Sequence, residues 1–180
     1  MKTLLAIILT VVATLQLATA QAQTVSQADM TGFSSYAGLY VTSGSAVTTS
    51  TNAATYTPLL FTGTGGAVTA SFNAVASSTN SQIQVNMTGQ YSVGYSMSIQ
   101  SSATNTTIRT APFVDSTELT NCGSALYVTG TNVVQMSGQG IFTVTSVTGT
   151  TGIVKLQVKS DATSTITPTV ISLTVRRISN

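Results

Sequence analysis

The sequence predicts an all-β fold, a sandwich or barrel of short strands, on three observations. Apolar residues alternate with polar ones over short runs, and nowhere do they repeat at helical period over a useful length. Turn-forming Gly, Pro, Ser and Asn separate these runs at roughly ten-residue spacing, the pattern of strands joined by turns. The stretch from Met30 to Ile108 contains no Asp, Glu, Lys, Arg or His. An average domain is about a quarter charged, so about twenty charges would be ordinary there. Ser, Thr, Asn and Gln supply the polarity instead, interleaved with Val, Ile, Tyr and Phe. Such a surface is solvated by hydroxyls and amides, and it argues against an active site built on ionisable groups.

The chain opens on a leader. Lys2 is its positive end, Leu4 to Val12 its apolar run, and Ala18-Thr19-Ala20 its small-x-small cleavage site, with Ala20-Gln21-Ala22 as a second option. The apolar run is too short for a stable membrane span, and an uncleaved anchor is the alternative. The organisation expected is a signal peptide at 1–20, a polar N-terminal arm at 21–36 and a β domain at 37–180. That places the mature protein outside the cell or on its surface, with no membrane contact after cleavage.

The elements follow in order. Ala37 to Thr42 is a strand, Leu39 and Val41 facing one way and Tyr40 the other. Ser43 to Ala54 is a long loop or an edge strand. Tyr56 to Thr62 is a strand with Pro58 at its start or edge, and Gly63-Thr64-Gly65-Gly66 is a turn. Val68 to Val75 forms a further strand around Phe72, turned back at Ser77 to Ser81. Ile83, Val85 and Met87 then alternate with Gln82, Gln84 and Asn86. After the break at Thr88-Gly89, Tyr91, Val93, Tyr95, Met97 and Ile99 alternate with Ser92, Gly94, Ser96 and Ser98. This strand has one apolar face and one small, polar face.

Ile108 to Val114 is a weaker strand, interrupted by Pro112. Ala125 to Thr129 and Val133 to Met136 are short ones. Ile141 to Val147 is a separate, convincing strand. Gly149 to Gly152 turns into Ile153 to Lys159, where Ile153, Lys155, Gln157 and Lys159 oppose Val154, Leu156 and Val158. Pro168 precedes the last strand, Thr169 to Ile178.

Catalytic parts are scarce. There is no His to act as a base near neutral pH, and no nucleophile motif. The mature carboxylates are Asp29, Asp115, Glu118 and Asp161. Asp115 and Glu118, three residues apart in a loop, could share a weak ligand or cation with Asn121, or form a solvated loop. They lack the spaced oxygens of a dedicated calcium loop, so no catalytic residue, metal site or cofactor is expected. Cys122, the one cysteine, has no internal partner and reads as a buried thiol. Both glycine clusters lack the helix and lysine of a phosphate loop and read as turns.

Arg176-Arg177 is the only basic pair, and phosphate backbones need clustered cations, so nucleic acid is not a partner. Asn86-Met87-Thr88 and Asn105-Thr106-Thr107 match the N-glycosylation pattern. Tyr91, Tyr95, Tyr127 and Phe142 are assigned to the sandwich core or to a subunit interface. A sugar-stacking platform is a third option, weakened by the absence of Trp.

Gly89-Gln90-Tyr91-Ser92-Val93-Gly94-Tyr95 resembles the Gly-x-Tyr-x-Val-x-Tyr strand of the tumour necrosis factor-like jelly rolls, which include the globular heads of complement collagens. Ile83 to Met87 and the terminal Ile171-Ser172-Leu173-Thr174-Val175-Arg176-Arg177-Ile178 are similar in character to bacterial and viral members. Those are the C-terminal domains of exosporium collagen-like glycoproteins and phage fibre domains. The resemblance spans roughly Leu39 to Ile178. It implies a two-sheet antiparallel jelly-roll sandwich, packed as a homotrimer about a threefold axis and acting by binding or by structure.

Two departures set the chain apart. Thr151-Gly152-Ile153 lacks the Asp of a family-type Gly-Asp pair, which weighs against a family-type calcium site. No Gly-x-y stalk precedes the domain. The function expected is a secreted, non-enzymatic structural or surface-interaction module whose partner is itself, with surface glycans or matrix proteins as further partners. The competing expectations are a monomeric carbohydrate-binding or adhesive β-sandwich, and a pilus-like subunit that donates its N-terminal arm.

Overall fold

The computed structural model describes residues 35–50, 55–71, 73–149 and 151–179. The signal peptide, all of the polar arm before Ser35, and Phe72 lie outside the described residues. The strands run in order as β1 (Tyr36–Val41), β2 (Ser43–Gly44), β3 (Val47–Thr49), β4 (Thr57–Pro58), β5 (Gly63–Thr64), β6 (Ala67–Ala70), β7 (Ala74–Ser77) and β8 (Gln82–Val85). They continue as β9 (Gly89–Ser101), β10 (Thr106–Val114), β11 (Thr117–Glu118), β12 (Ser124–Val128), β13 (Val133–Val144), β14 (Ile153–Ser160) and β15 (Ser164–Ser179), with a 3-10 turn at Thr120–Cys122. Sheet 1 has the order β13-β9-β15-β1-β6, with β3 also on β15; sheet 2 has β11-β10-β14-β8-β7, with β12 on β10 and β4 on β14. The pairings within both sheets are antiparallel, and β2 and β5 form a separate ribbon. Neighbours distant in sequence, such as β1 beside β15, give the sandwich its jelly-roll winding.

Alternation decides which face is buried. On β9, Tyr91, Val93, Tyr95, Met97 and Ile99 point into the sandwich, against Ile83, Val85, Ile108, Val154, Leu156 and Val158 of sheet 2. Tyr91 stacks on Phe142 at 5.5 Å between centroids. Tyr95 crosses the core and its hydroxyl donates to the Thr110 carbonyl at 3.2 Å, so the two sheets share a buried polar contact. Hydroxyl pairs satisfy further buried polar positions: Ser101 with Ser164 at 2.7 Å and Thr106 with Ser160 at 2.9 Å. A buried polar group without a partner is costly, and in this chain hydroxyls do what ion pairs do elsewhere.

Several boundaries differ from the sequence expectation for identifiable reasons. Val68 to Val75 is two strands in two sheets, β6 and β7, because Asn73 takes a left-handed conformation (φ 61°) and turns the chain. Val133 to Met136 and Ile141 to Val147 merge into β13, which ends at Val144. The Ser-Gly-Gln-Gly between them is not a break. A side chain at Gly138 would collide with the Cys122 carbonyl oxygen, and one at Gly140 with the Cys122 thiol. These glycines let the 3-10 turn close over the inner side of β13.

Pro112 does not interrupt β10. Its carbonyl accepts from the Leu119 amide at 2.9 Å, and in an antiparallel strand its donor-less nitrogen faces the same side. That side is the gap between β11 and β12, where no ladder bond is lost. Pro168 likewise sits inside β15, at a register shift between Pro168 and Val170, a bulge that tolerates it. Tyr56 to Thr62 contributes two strand residues, Thr57 and Pro58, while Leu59 and Phe61 anchor in the core. Gly63 and Thr64 form β5 before the turn at Gly65.

Candidate functional site

The outward face of sheet 1 is built from the residues that alternate with the core. Its cross-strand rows read Ile141–Ser92–Arg176–Tyr36, then Gln139–Gly94–Thr174–Gly38, then Ser137–Ser96–Ser172–Tyr40, then Gln135–Ser98–Val170. Arg176 is the single charged residue among them. Short Gly, Ser and Thr side chains leave the middle of the face low. One groove of about 470 Å³ runs over Ser96, Ser98, Gln135, Ser137 and Val170. A second of about 500 Å³ runs over Ser92, Gly94, Gln139, Ile141 and Thr174. Larger side chains stand beside this trough: Ile141 is 55% exposed, Tyr36 40% and Tyr40 41%.

The outward face of sheet 2 is different. Arg109 on β10 lies directly opposite Lys159 on β14, and Phe113 lies between Lys155 on β14 and Glu118 on β11. Tyr56, half-buried, crosses this region. Its hydroxyl donates to Glu118 Oε1 at 2.8 Å, its ring meets Phe113 edge-on at 4.9 Å, and Lys159 Nζ sits 4.3 Å from its centroid. Burial, and then the Glu118 carboxylate, push the Tyr56 phenol well above its ordinary value. Tyr56, Arg109, Glu118, Thr120 and Ser124 are among the residues around a recess of about 170 Å³.

The residues singled out in the sequence do not form one site. Tyr91, Tyr95 and Phe142, expected in the core or at a subunit interface, are enclosed between the sheets of a single chain. The phenols of Tyr91 and Tyr95 are raised by that burial. Tyr127, by contrast, is 59% exposed on β12.

The Asp115, Glu118 and Asn121 loop does not converge on a ligand position. Asp115 accepts from the Gly152 and Ile153 amides at 3.3 and 3.0 Å, so it caps the turn before β14. Glu118 is held by Tyr56, and Asn121 Oδ1 accepts from the Cys122 thiol at 3.7 Å. Cys122 is buried, and burial raises its thiol. Of the basic pair, Arg176 is exposed, whereas Arg177 is buried with Nη2 on the Thr88 carbonyl at 2.7 Å.

Sequence reasoning missed the outward face of sheet 1 as a surface, together with Tyr36 and Ile141. The signal was present in the polar half of the β9 alternation, where every position is Gly, Ser or Gln. It also missed the grouping of Arg109, Lys155 and Lys159, which only the pairing of β10 with β14 brings together.

An antiparallel jelly roll with one outward face nearly free of charge and one that carries charges of both signs is therefore the class of protein this structure defines. No protein-family model and no curated protein matches the sequence. Among solved structures it is similar to PRD1 vertex protein P5, with a TM-score of 0.51 and 15% identity over 80% of this chain and 96% of that one. It is also similar to Eiger TNF from S. frugiperda, at 0.46 and 14% over 82% and 95%. Murine APRIL at pH 5.0 aligns at 0.49 and 13% over 81% and 100%. At these identities the likeness shows the fold alone, an antiparallel jelly-roll sandwich.

Proposed function

We propose that the chain is an exported, non-enzymatic structural or surface-interaction module that assembles as a homotrimer through the outward face of sheet 1. The observation that carries this reading is the low, uncharged trough along β9, flanked by exposed Ile141, Tyr36 and Tyr40. Interface cores are depleted of charge and enriched in aromatic side chains, and a trough of small residues lets a partner's ridge approach the sheet closely. The jelly-roll resemblance implies threefold packing. A vertex protein among the similar structures fits a role in assembly.

The absolute mass of the mature protein, by light scattering behind a sizing column, tests this. A species of three times the chain mass supports it. A clean monomer at micromolar concentration overturns it and favours the monomeric adhesive sandwich. The pilus-like reading rests on the N-terminal arm, and no described residue favours it.

A further inference from the structure

We propose that the recess between β11 and β12 is a subsite for one ring of a neutral oligosaccharide, whose hydroxyl groups bridge Glu118 and Arg109. The recess follows from the strand pairing. β11 covers β10 at Phe113 and Val114, and β12 covers it from Thr106 to Thr110, so Ala111 and Pro112 are left between them. The space that remains holds about 170 Å³, the share of about six liquid waters and the bulk of a single sugar ring.

The charges around it select a ligand without net charge. Arg109 and Glu118 both border the recess, yet among the described residues no ion pair joins them. Opposite charges that flank one opening without touching balance it, so an anion or a cation gains from one and loses to the other. A hydroxyl gains from both, because it donates to the carboxylate and accepts from the guanidinium. Glu118 is oriented in advance. Its Oε1 accepts from the Tyr56 hydroxyl at 2.8 Å, and its Oε2 has no partner among the described residues. Tyr56 is held in turn by Phe113 and Lys159, so little freedom is lost when a ligand arrives.

Two further residues favour a sugar over water or a small polyol. Ser124 also lines the recess, and its buried hydroxyl has no hydrogen bond. The Tyr95 hydroxyl beside it is committed to the Thr110 carbonyl. An unpaired buried hydroxyl is destabilising, and a ligand hydroxyl supplies the missing partner. Tyr127, 59% exposed, stands in the register row next to the Arg109–Ala125 pair. It lies about 7 Å along β12 from Ala125, on the same face. Its ring presents an apolar surface on which the C–H groups of a second, linked sugar pack.

The test screens the mature protein against immobilised neutral disaccharides (cellobiose, lactose, mannobiose and chitobiose), with sialyllactose and a sulfated disaccharide as charged comparisons. The proposal expects binding to at least one neutral disaccharide, unchanged as salt is raised because no net charge is paired. Glu118→Gln is expected to lower that affinity about tenfold or more, and Tyr127→Ala to lower it severalfold. Ser124→Ala should weaken binding with no loss of melting temperature, an outcome that a serine with a structural role alone would not give.

Melting temperature and mass are followed in parallel. If Glu118→Gln fails to fold, Arg109→Gln carries the same expectation. No binding to any neutral disaccharide, binding indifferent to these substitutions, or binding confined to the charged sugars overturns the proposal. The measurement is made on whichever species the protein forms, so its failure is separate from failure of the trimer reading.

Discussion

The two outward faces of this sandwich cover the same core, yet their chemistry is opposite. The outward rows of sheet 1 carry one charge, Arg176, on a bed of Gly, Ser and Thr. The outward rows of sheet 2 carry Arg109, Lys155, Lys159 and Glu118 among Tyr56, Phe113 and Tyr127. A sheet face that stays in water gains solubility from charge and loses little by it. A face that another surface must cover loses by it, because a charge taken out of water without a partner costs several kcal/mol. The contrast teaches that the shortage of charge in this chain is distributed. Charge is nearly absent where contact with protein is proposed and gathered, in both signs, on the opposite face.

The sharpest way to break that contrast is to put the same charge on each face. Ser96→Arg places a guanidinium in the middle of the sheet 1 trough, once per subunit. The expected outcome is loss of the trimer, a threefold fall in mass by light scattering, with the fold retained by circular dichroism. Ala125→Arg, on exposed β12 opposite Arg109, leaves the mass unchanged. Equal behaviour of the two variants would remove the distinction between the faces.

Smaller effects are expected from beneath the uncharged face. Gly138→Ala forces β13 away from the Cys122 carbonyl, which it cannot clear, and overpacking of this kind costs about 1–3 kcal/mol. Urea unfolding reads this as a lower midpoint, and Gly130→Ala, whose added carbon would have as its nearest neighbour only Asn132 Nδ2 at 3.9 Å, serves as the control. Tyr95→Phe removes the hydrogen bond that joins the sheets through Thr110, worth about 0.5–1.5 kcal/mol. If Tyr95→Phe costs nothing, the sheets are held by apolar packing alone.

Much of this was legible in the sequence. The alternation on β9 and β14 assigned every side chain to its face, and the short Gly-x-Tyr-x-Val-x-Tyr run pointed to the jelly roll. Illegible were the features that depend on a partner distant in sequence. Gly138 and Gly140 read as a break because their reason lies in Cys122, on another element. Pro112 read as an interruption because its harmlessness depends on which side of β10 its nitrogen faces. Asp115 read as part of a solvated loop or a weak ligand loop because the turn it caps comes some forty residues later. Tyr91, Tyr95 and Phe142 read as interface or core alike, since burial between sheets and burial between subunits leave the same apolar signature in one chain.

Alkaline pH separates the faces by a different route. Burial raises the phenols of Tyr91 and Tyr95 under sheet 1, and that of Tyr56 on sheet 2 with Glu118 adding to it; it raises the Cys122 thiol as well. The folded protein keeps protons that the unfolded chain releases once pH exceeds about 9 to 10. The unfolded state then binds fewer protons, so stability falls as pH rises. The contribution is full below the unfolded values and is lost progressively as pH climbs through the folded ones. With no His in the chain, no side chain has an ordinary value between about pH 6 and 8, and the melting temperature should be level there.

Above about pH 9 the melting temperature should drop, and Tyr56→Phe should make that drop shallower while costing about 1 kcal/mol or less at neutral pH. The Tyr56 phenol is the one held next to a carboxylate, so removing it takes away a proton that the fold keeps most strongly on its charged side. An unchanged alkaline slope in Tyr56→Phe would mean that the hydrogen bond to Glu118 is open in solution.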